Sequence, residues 1–165
     1  MRMMPANAAD VVAAERMIEL GYPEIVPVMR DMVGLMRVAV SPVADAFAVF
    51  FGRLGEAAVD AIDQGLMHGN CWLRHRIFTQ VFPLWPLNAI RQLTNTLTMV
   101  ATQPDAYDND LLCVGLLIQH RLADPKWLGQ WIEFKKERWA VRNELMVTVE
   151  ARVKSIPQDV APGDG

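Results

Sequence analysis

Residues 54–83, LGEAAVDAIDQGLMHGNCWLRHRIFTQVFP, carry the pattern that most restricts what this chain can become. Ala58, Val59, Ile62 and Leu66 recur three to four residues apart, the spacing that places them on one face of a helix. His68-Gly69 ends that helix, and Gly69 offers a residue free to turn left-handed. Asn70 is an N-cap residue. The helix it opens, Cys71 to Phe82, turns Trp72, Ile77, Phe78 and Val81 inward before Pro83 stops it. Neither helix of this hairpin can bury its apolar stripe alone, so neighbours must stack on it.

The rest of the chain uses the same grammar. A first helix is expected from about Ala8 to Leu20, with Val11, Val12, Met17, Ile18 and Leu20 as its apolar side and Gly21 closing it. A second starts at Pro23, a favoured first helical position, and runs to about Arg37; Pro27 lies in or just after its first turn, where a missing N–H costs little. Ser41-Pro42 reads as cap plus first-turn proline, opening Val43 to Phe51, with Gly52 and Gly55 as the break. Pro86 opens Leu87 to about Ala101. Asp108 or Asp110 can cap Leu111 to Leu122, which is apolar nearly all round and so expected to be buried on several sides. Asp124-Pro125 restarts the chain into a long helix reaching about Ser155, weakened at Gly129, and the Pro/Gly-rich residues 156–165 read as a disordered tail. No segment alternates with period two for long, so the class is all-α.

An internal period supports this reading. Leu20-Gly21-Tyr22-Pro23-Glu24-Ile25 aligns with Leu54-Gly55-Glu56-Ala57-Ala58-Val59 at an offset of 34, and Leu84-Trp85-Pro86-Leu87-Asn88-Ala89 aligns with the latter at an offset of 30. Helix pairs repeating with a period in the thirties are the mark of an α-solenoid. Residues 20–122, about 60% of the chain, resemble the HEAT-like repeat proteins, and more narrowly a small bacterial domain family of uncharacterised function within that group. The similar features are the LGYPEIVPVM opening, the SPVADAFAVFFGRLGEAAVDAI join, Trp72 opening the next helix, and the Trp85-Pro86 step. The long last helix departs from the pattern, as does the absence of the usual Asp/Arg ladder. Length and helix patterning give one domain over residues 1–155, with a repeat body at 7–122 and the long helix at 124–155, and the repeat with its resemblance implies a right-handed solenoid of about eight helices. The resemblance also implies a binding scaffold; small solitary α-repeat proteins in bacteria often serve as immunity proteins to antibacterial effectors.

Composition narrows the function. The chain is 52% hydrophobic and 21% charged, which excludes general disorder. No apolar run reaches the roughly 18 residues that span a bilayer, and MRMMPANAAD lacks a signal-peptide core; a cytoplasmic location is expected. Residues 1–123 hold nine arginines, no lysine and twelve acids, a net of −3, whereas residues 124–155 sum to +2. An acidic body argues against nucleic acid, whose affinity rests on phosphate neutralisation. Cys71 and Cys113 are isolated and expected to be buried, reduced thiols.

Several groups stand out as candidates for binding. Asp105, Asp108 and Asp110, with Tyr107 and Asn109 between, form the densest acidic cluster, a cation or basic-partner site in one reading; their spacing does not fit a twelve-residue calcium loop, and a solvated loop with one helix-capping aspartate is the simpler account. Arg74, His75 and Arg76 follow Trp72 and, with Asp60 and Asp63, can make a charged groove or simply a solvated face. Trp127 and Trp131 lie with Trp139 among the lysines of the last helix, as partner-binding residues or as packing; Ile132, Trp139, Met146 and Val153 fall seven apart, as in a helix-packing seam. His68 and His120 have no companions at metal-ligand spacing, so no metal or other cofactor is expected. Nucleophile elbow, P-loop, GxGxxG and HExxH are all absent.

The expected function is therefore a non-catalytic cytoplasmic protein-binding module, in its sharpest form an immunity protein that neutralises a cognate toxin, with no membrane or nucleic-acid partner. The first alternative is a homo-oligomeric structural or regulatory protein, a homodimer through the last helix. The second is an enzyme or a nucleic-acid-binding solenoid.

Overall fold

The computed structural model describes residues 4–7, 9–38 and 40–154. Every element among them is helical, and none is a strand, so the all-α reading holds. The chain divides into two compact units, Met1–Ala123 and Asp124–Gly165.

In the first unit, α1 (Val11–Leu20) opens at Asp10, whose carboxylate accepts the Ala13 N–H at 3.3 Å. The expected start at Ala8 lies outside the described residues. Of the apolar side expected for α1, Met17 is buried, whereas Val12 and Leu20 are exposed. A 3₁₀ turn, Val26–Val28, leads into α2 (Met29–Leu35). Pro27 sits within that turn, and Pro23 precedes it after a cis peptide bond. α2 is thus shorter than expected, but Met29, Met32, Val33 and Met36 are buried as its pattern requires.

α3 (Pro42–Leu54) runs through Gly52 and ends at Gly55. The Ser41 hydroxyl accepts the Ala44 N–H at 3.1 Å, with Pro42 as first helical residue. Phe47 and Phe51 are fully buried. A 3₁₀ turn, Gly55–Ala58, leads into α4 (Val59–His68). Gly21 (φ 67°) and Gly55 (φ 56°) occupy the same place in the two aligned segments, and both adopt the left-handed backbone that glycine tolerates without cost. Each closes a helix, and a 3₁₀ turn precedes the next helix, starting at Val26 after Gly21 and at Gly55 itself in the second segment; the third aligned segment has Trp85 at this position, with an extended backbone.

Gly69 follows a different rule from the expected left-handed turn. Its backbone is extended (φ −76°, ψ 160°). Glycine is needed there for space, because a Cβ would collide with the Gly65 carbonyl oxygen and lie 2.7 Å from Leu73 Cδ2.

Asn70 caps α5 (Cys71–Arg76), its side-chain oxygen accepting the Leu73 N–H at 2.9 Å. The helix continues through a π segment, Ile77–Val81, and a 3₁₀ turn, Phe82–Leu84. The wider π turn shifts the helix face relative to a regular 3.6-residue pattern. Leu73, Arg76, Ile77, Val81 and Phe82 are buried, Phe78 is half-buried, and Trp72, expected inward, is 38% exposed.

The helix expected over Leu87–Ala101 is broken at Leu93 into α6 (Leu87–Gln92) and α7 (Thr94–Val100). α8 (Asn109–Gln119) packs on α7 and α5. It buries Cys113, Val114 and Leu117 but leaves Leu112 and Ile118 exposed, so it is covered on fewer sides than its composition suggests. α3 is central to this unit and touches α1, α2 and the π segment; α4 touches α2, α5, α6 and α7.

The second unit consists of α9 (Pro125–Lys154), a single 30-residue helix that continues through Gly129. At 1.5 Å per residue it is about 45 Å long. The tail at 156–165 and the Val153 side chain lie outside the described residues.

Candidate functional site

The residues singled out in α5 and in the loop before α8 meet on one surface of the first unit. Asp105 organises the loop. Its Oδ1 accepts the N–H groups of Tyr107 (2.9 Å) and Asn109 (3.3 Å), and its Oδ2 accepts from Asn109 Nδ2 (2.8 Å). The fully buried Asn109 side chain also donates to the Cys71 carbonyl at 2.9 Å, fastening the loop to the first turn of α5. Asp108 stands at the N-cap position with a left-handed backbone (φ 52°), and its side chain makes no capping bond. Asp110 is fully buried in the first turn of α8. The carboxylate that serves the start of α8 therefore belongs to Asp105, and neither Asp108 nor Asp110 caps the helix. Of the three acids only Asp108 is exposed.

This anchoring places Tyr107 over α5. Its ring centroid lies 4.3 Å from that of Trp72 and 5.5 Å from that of His75, both at 43°. Trp72, His75 and Thr79 sit three and four residues apart, on one side of the helix. With Val40, Asp45, Arg76 and Gln80 they line a depression of about 350 Å³. His75 Nδ1 is buried and makes no hydrogen bond.

The charges of this surface differ from the expected set. Arg76 Nη1 donates to Asp45 Oδ1 at 2.9 Å. Asp60 instead pairs with Arg30 at 2.8 Å, and Asp63 accepts the Thr96 hydroxyl. Arg74 turns away from the aromatic group and donates from Nε to the Leu66 carbonyl at 2.9 Å, serving the C-terminal end of α4. The sequence gives no sign of Asp45 or Val40 at this surface, and Asn109 stands in the acidic cluster without its anchoring role being evident. The available signal was the Asp105-x-Tyr107-x-Asn109 spacing, which suits a side-chain-closed turn.

A larger groove of mixed polar and apolar lining, about 700 Å³, runs between α8 and residues 78–85, lined by Phe78, Phe82, Trp85, Leu112, Leu116 and His120 among others. On α9, Trp127 is half-buried and Trp131 buried, and Lys135 Nζ lies 5.6 Å from the Trp131 ring centroid and 5.9 Å from that of Trp139.

Chemically, these surfaces offer aromatic faces, the Arg76–Asp45 ion pair and two histidines, His75 and His120. Among the described residues, no group of three or more His, Cys, Asp or Glu is placed to hold a metal ion, and no helix is long and apolar enough to cross a membrane. The Cys113 thiol is buried and donates to the Leu97 carbonyl at 2.8 Å. Burial, reinforced by the Asp110 carboxylate, pushes its pKa from 9.0 up to about 12, so it stays protonated and is a poor nucleophile. In comparisons with protein-family models, curated proteins and solved structures, the chain has no match.

Proposed function

We propose that this chain is a non-catalytic protein-binding module, and in its sharper form an immunity protein that binds and neutralises a cognate antibacterial toxin in the cytoplasm. The observation that carries the binding reading is the Trp72–Tyr107–His75 group. Aromatic side chains are usually buried in cores; here they are stacked at the surface by a loop that Asp105 and Asn109 hold in place. A preformed aromatic patch loses little ordering entropy on association, and such residues commonly supply most of an interface's energy. The −3 charge of residues 1–123 suits a basic partner, steering its approach.

The glycine-closed helix repeat at Gly21 and Gly55 supports a HEAT-like, right-handed solenoid as the scaffold that holds this patch. The resemblance of residues 20–122 to that group, and the frequency of immunity proteins among its small bacterial members, support the sharper reading. If the partner is a nuclease, mimicry of its substrate's phosphates falls to Asp108, the exposed acid of the loop.

The test is a tagged pull-down from native lysate using wild-type chain and the Trp72→Ala/Tyr107→Ala double variant. The expected result is one stoichiometric partner on the wild type, lost from the variant, and toxic when expressed without this chain. A partner retained equally by both proteins rejects the aromatic patch, and a captured partner that is harmless when expressed alone rejects neutralisation.

A further inference from the structure

Helix α9 carries two apolar lines, and only one has the spacing of a helix-pairing seam. Ile132, Trp139 and Met146 recur every seven residues, but the positions three and four beyond Ile132 and Trp139 are Lys135, Lys136, Arg142 and Asn143. That line is a ridge one residue wide. Phe134, Arg138, Val141, Leu145 and Thr148 instead alternate steps of four and three, the a/d spacing of a two-stranded coil. Phe134, Val141 and Leu145 are 41%, 58% and 62% exposed. They share one face of the helix with Glu137, Arg138 and Arg142.

The charges beside this seam complement those of a second copy. With Phe134 and Val141 at d and Arg138 and Leu145 at a, Glu137 falls at g and Arg142 at the following e. In a parallel pair, g of one helix meets e of the other, so Glu137 faces Arg142 on both sides of the seam. An antiparallel pair sets g beside g, which brings Glu137 towards Glu144, a repulsive contact. Among the described residues neither Glu137 nor Arg142 has an ion-pair partner within the chain, whereas Glu133 is held by Lys136 at 2.8 Å. Arg138 is the charged core position, and its guanidinium lies 5.5 Å from the Phe134 ring centroid. A charged core residue of this kind fixes register and strand number at a cost in stability.

We propose that α9 pairs with α9 of a second copy as a short parallel two-stranded coil, with Phe134, Val141 and Leu145 against their counterparts and Glu137 of each protomer against Arg142 of the other. This assignment is independent of the binding-module reading. Sedimentation of the full chain across a concentration series up to its solubility limit tests it, with circular dichroism to verify that each variant keeps its helix content. The wild type is expected to dimerise, and Glu137→Arg and Arg142→Glu each to weaken the dimer at least about tenfold, since each sets like charges together twice. The double variant E137R/R142E restores the dimer, and an equimolar mixture of the two single variants forms a heterodimer. A wild type that stays monomeric throughout, or a dimer indifferent to both charge reversals, overturns the proposal.

Discussion

Arg76 Nη1 lies 2.9 Å from Asp45 Oδ1, yet the two partners live in different surroundings: the arginine side chain is 8% exposed and the aspartate 61%. The pair joins α5 to α3 at the edge of the aromatic depression, and Arg76 also donates to the Val38 carbonyl at 3.4 Å. Its energetics are therefore asymmetric. Removing the solvated acid, Asp45→Ala, should cost about 0.5–1 kcal/mol, because water screens the lost attraction. Arg76→Ala also empties buried volume and frees a carbonyl, and should cost about 2–3 kcal/mol. Urea unfolding of the two variants measures the difference, and equal losses would show that the ion pair alone matters.

Asn109 should matter more to the site than either partner of that pair. Its buried amide bridges Asp105 and the Cys71 carbonyl. Asn109→Ala leaves that carbonyl and the carboxylate without this donor, a loss of about 1–3 kcal/mol. Hydrogen exchange in residues 101–108 should accelerate, and binding of the partner should weaken even though Asn109 is too deeply buried to touch it.

Two glycines separate steric from conformational need. A Cβ on Gly52 would approach Leu84 Cδ1 to 2.6 Å, but Leu84 is exposed and can swing aside. Gly52→Ala should cost about 1–2 kcal/mol. A Cβ on Gly69 meets the Gly65 carbonyl oxygen, which belongs to the helix backbone and cannot yield without unwinding the end of α4. Gly69→Ala should therefore cost clearly more, about 3 kcal/mol or above. Thermal unfolding that ranks Gly52→Ala as the worse variant would contradict this.

The features legible in the sequence are the local ones. Ser41-Pro42 and Asn70 act as caps because their hydrogen bonds close within three residues. Gly21 and Gly55 end helices because the chain itself requires a left-handed residue there. Features decided by distant residues were hidden. Trp72 fits the inward face by spacing, yet it lies outward because Tyr107, far along the chain, provides its stacking partner. Asp45 replaces Asp60 and Asp63 as the acid beside Arg76 because the packing of α3 against the segment after α5 sets the pairing. The need for glycine at 69 comes from the Gly65 carbonyl and Leu73, which leave no space for a Cβ, and no turn rule reads those contacts.

Cys113 gives a pH-dependent prediction with a definite sign. Burial holds the folded thiol at about 12 against an ordinary value of 9.0. Below pH 9 both folded and unfolded chains keep the proton, and the full stability is present. Between pH 9 and 12 the unfolded chain releases a proton that the folded chain retains, so stability falls as pH rises through this window. Cys113→Ala should lose this alkaline slope, which urea unfolding at a series of pH values would reveal. The same burial predicts selective labelling: at mildly alkaline pH a thiol reagent should modify the half-buried Cys71 readily, and Cys113 only at the rate of unfolding. Equally fast modification of both thiols in folded protein would show that Cys113 is reached by solvent and that its proton is not held by burial.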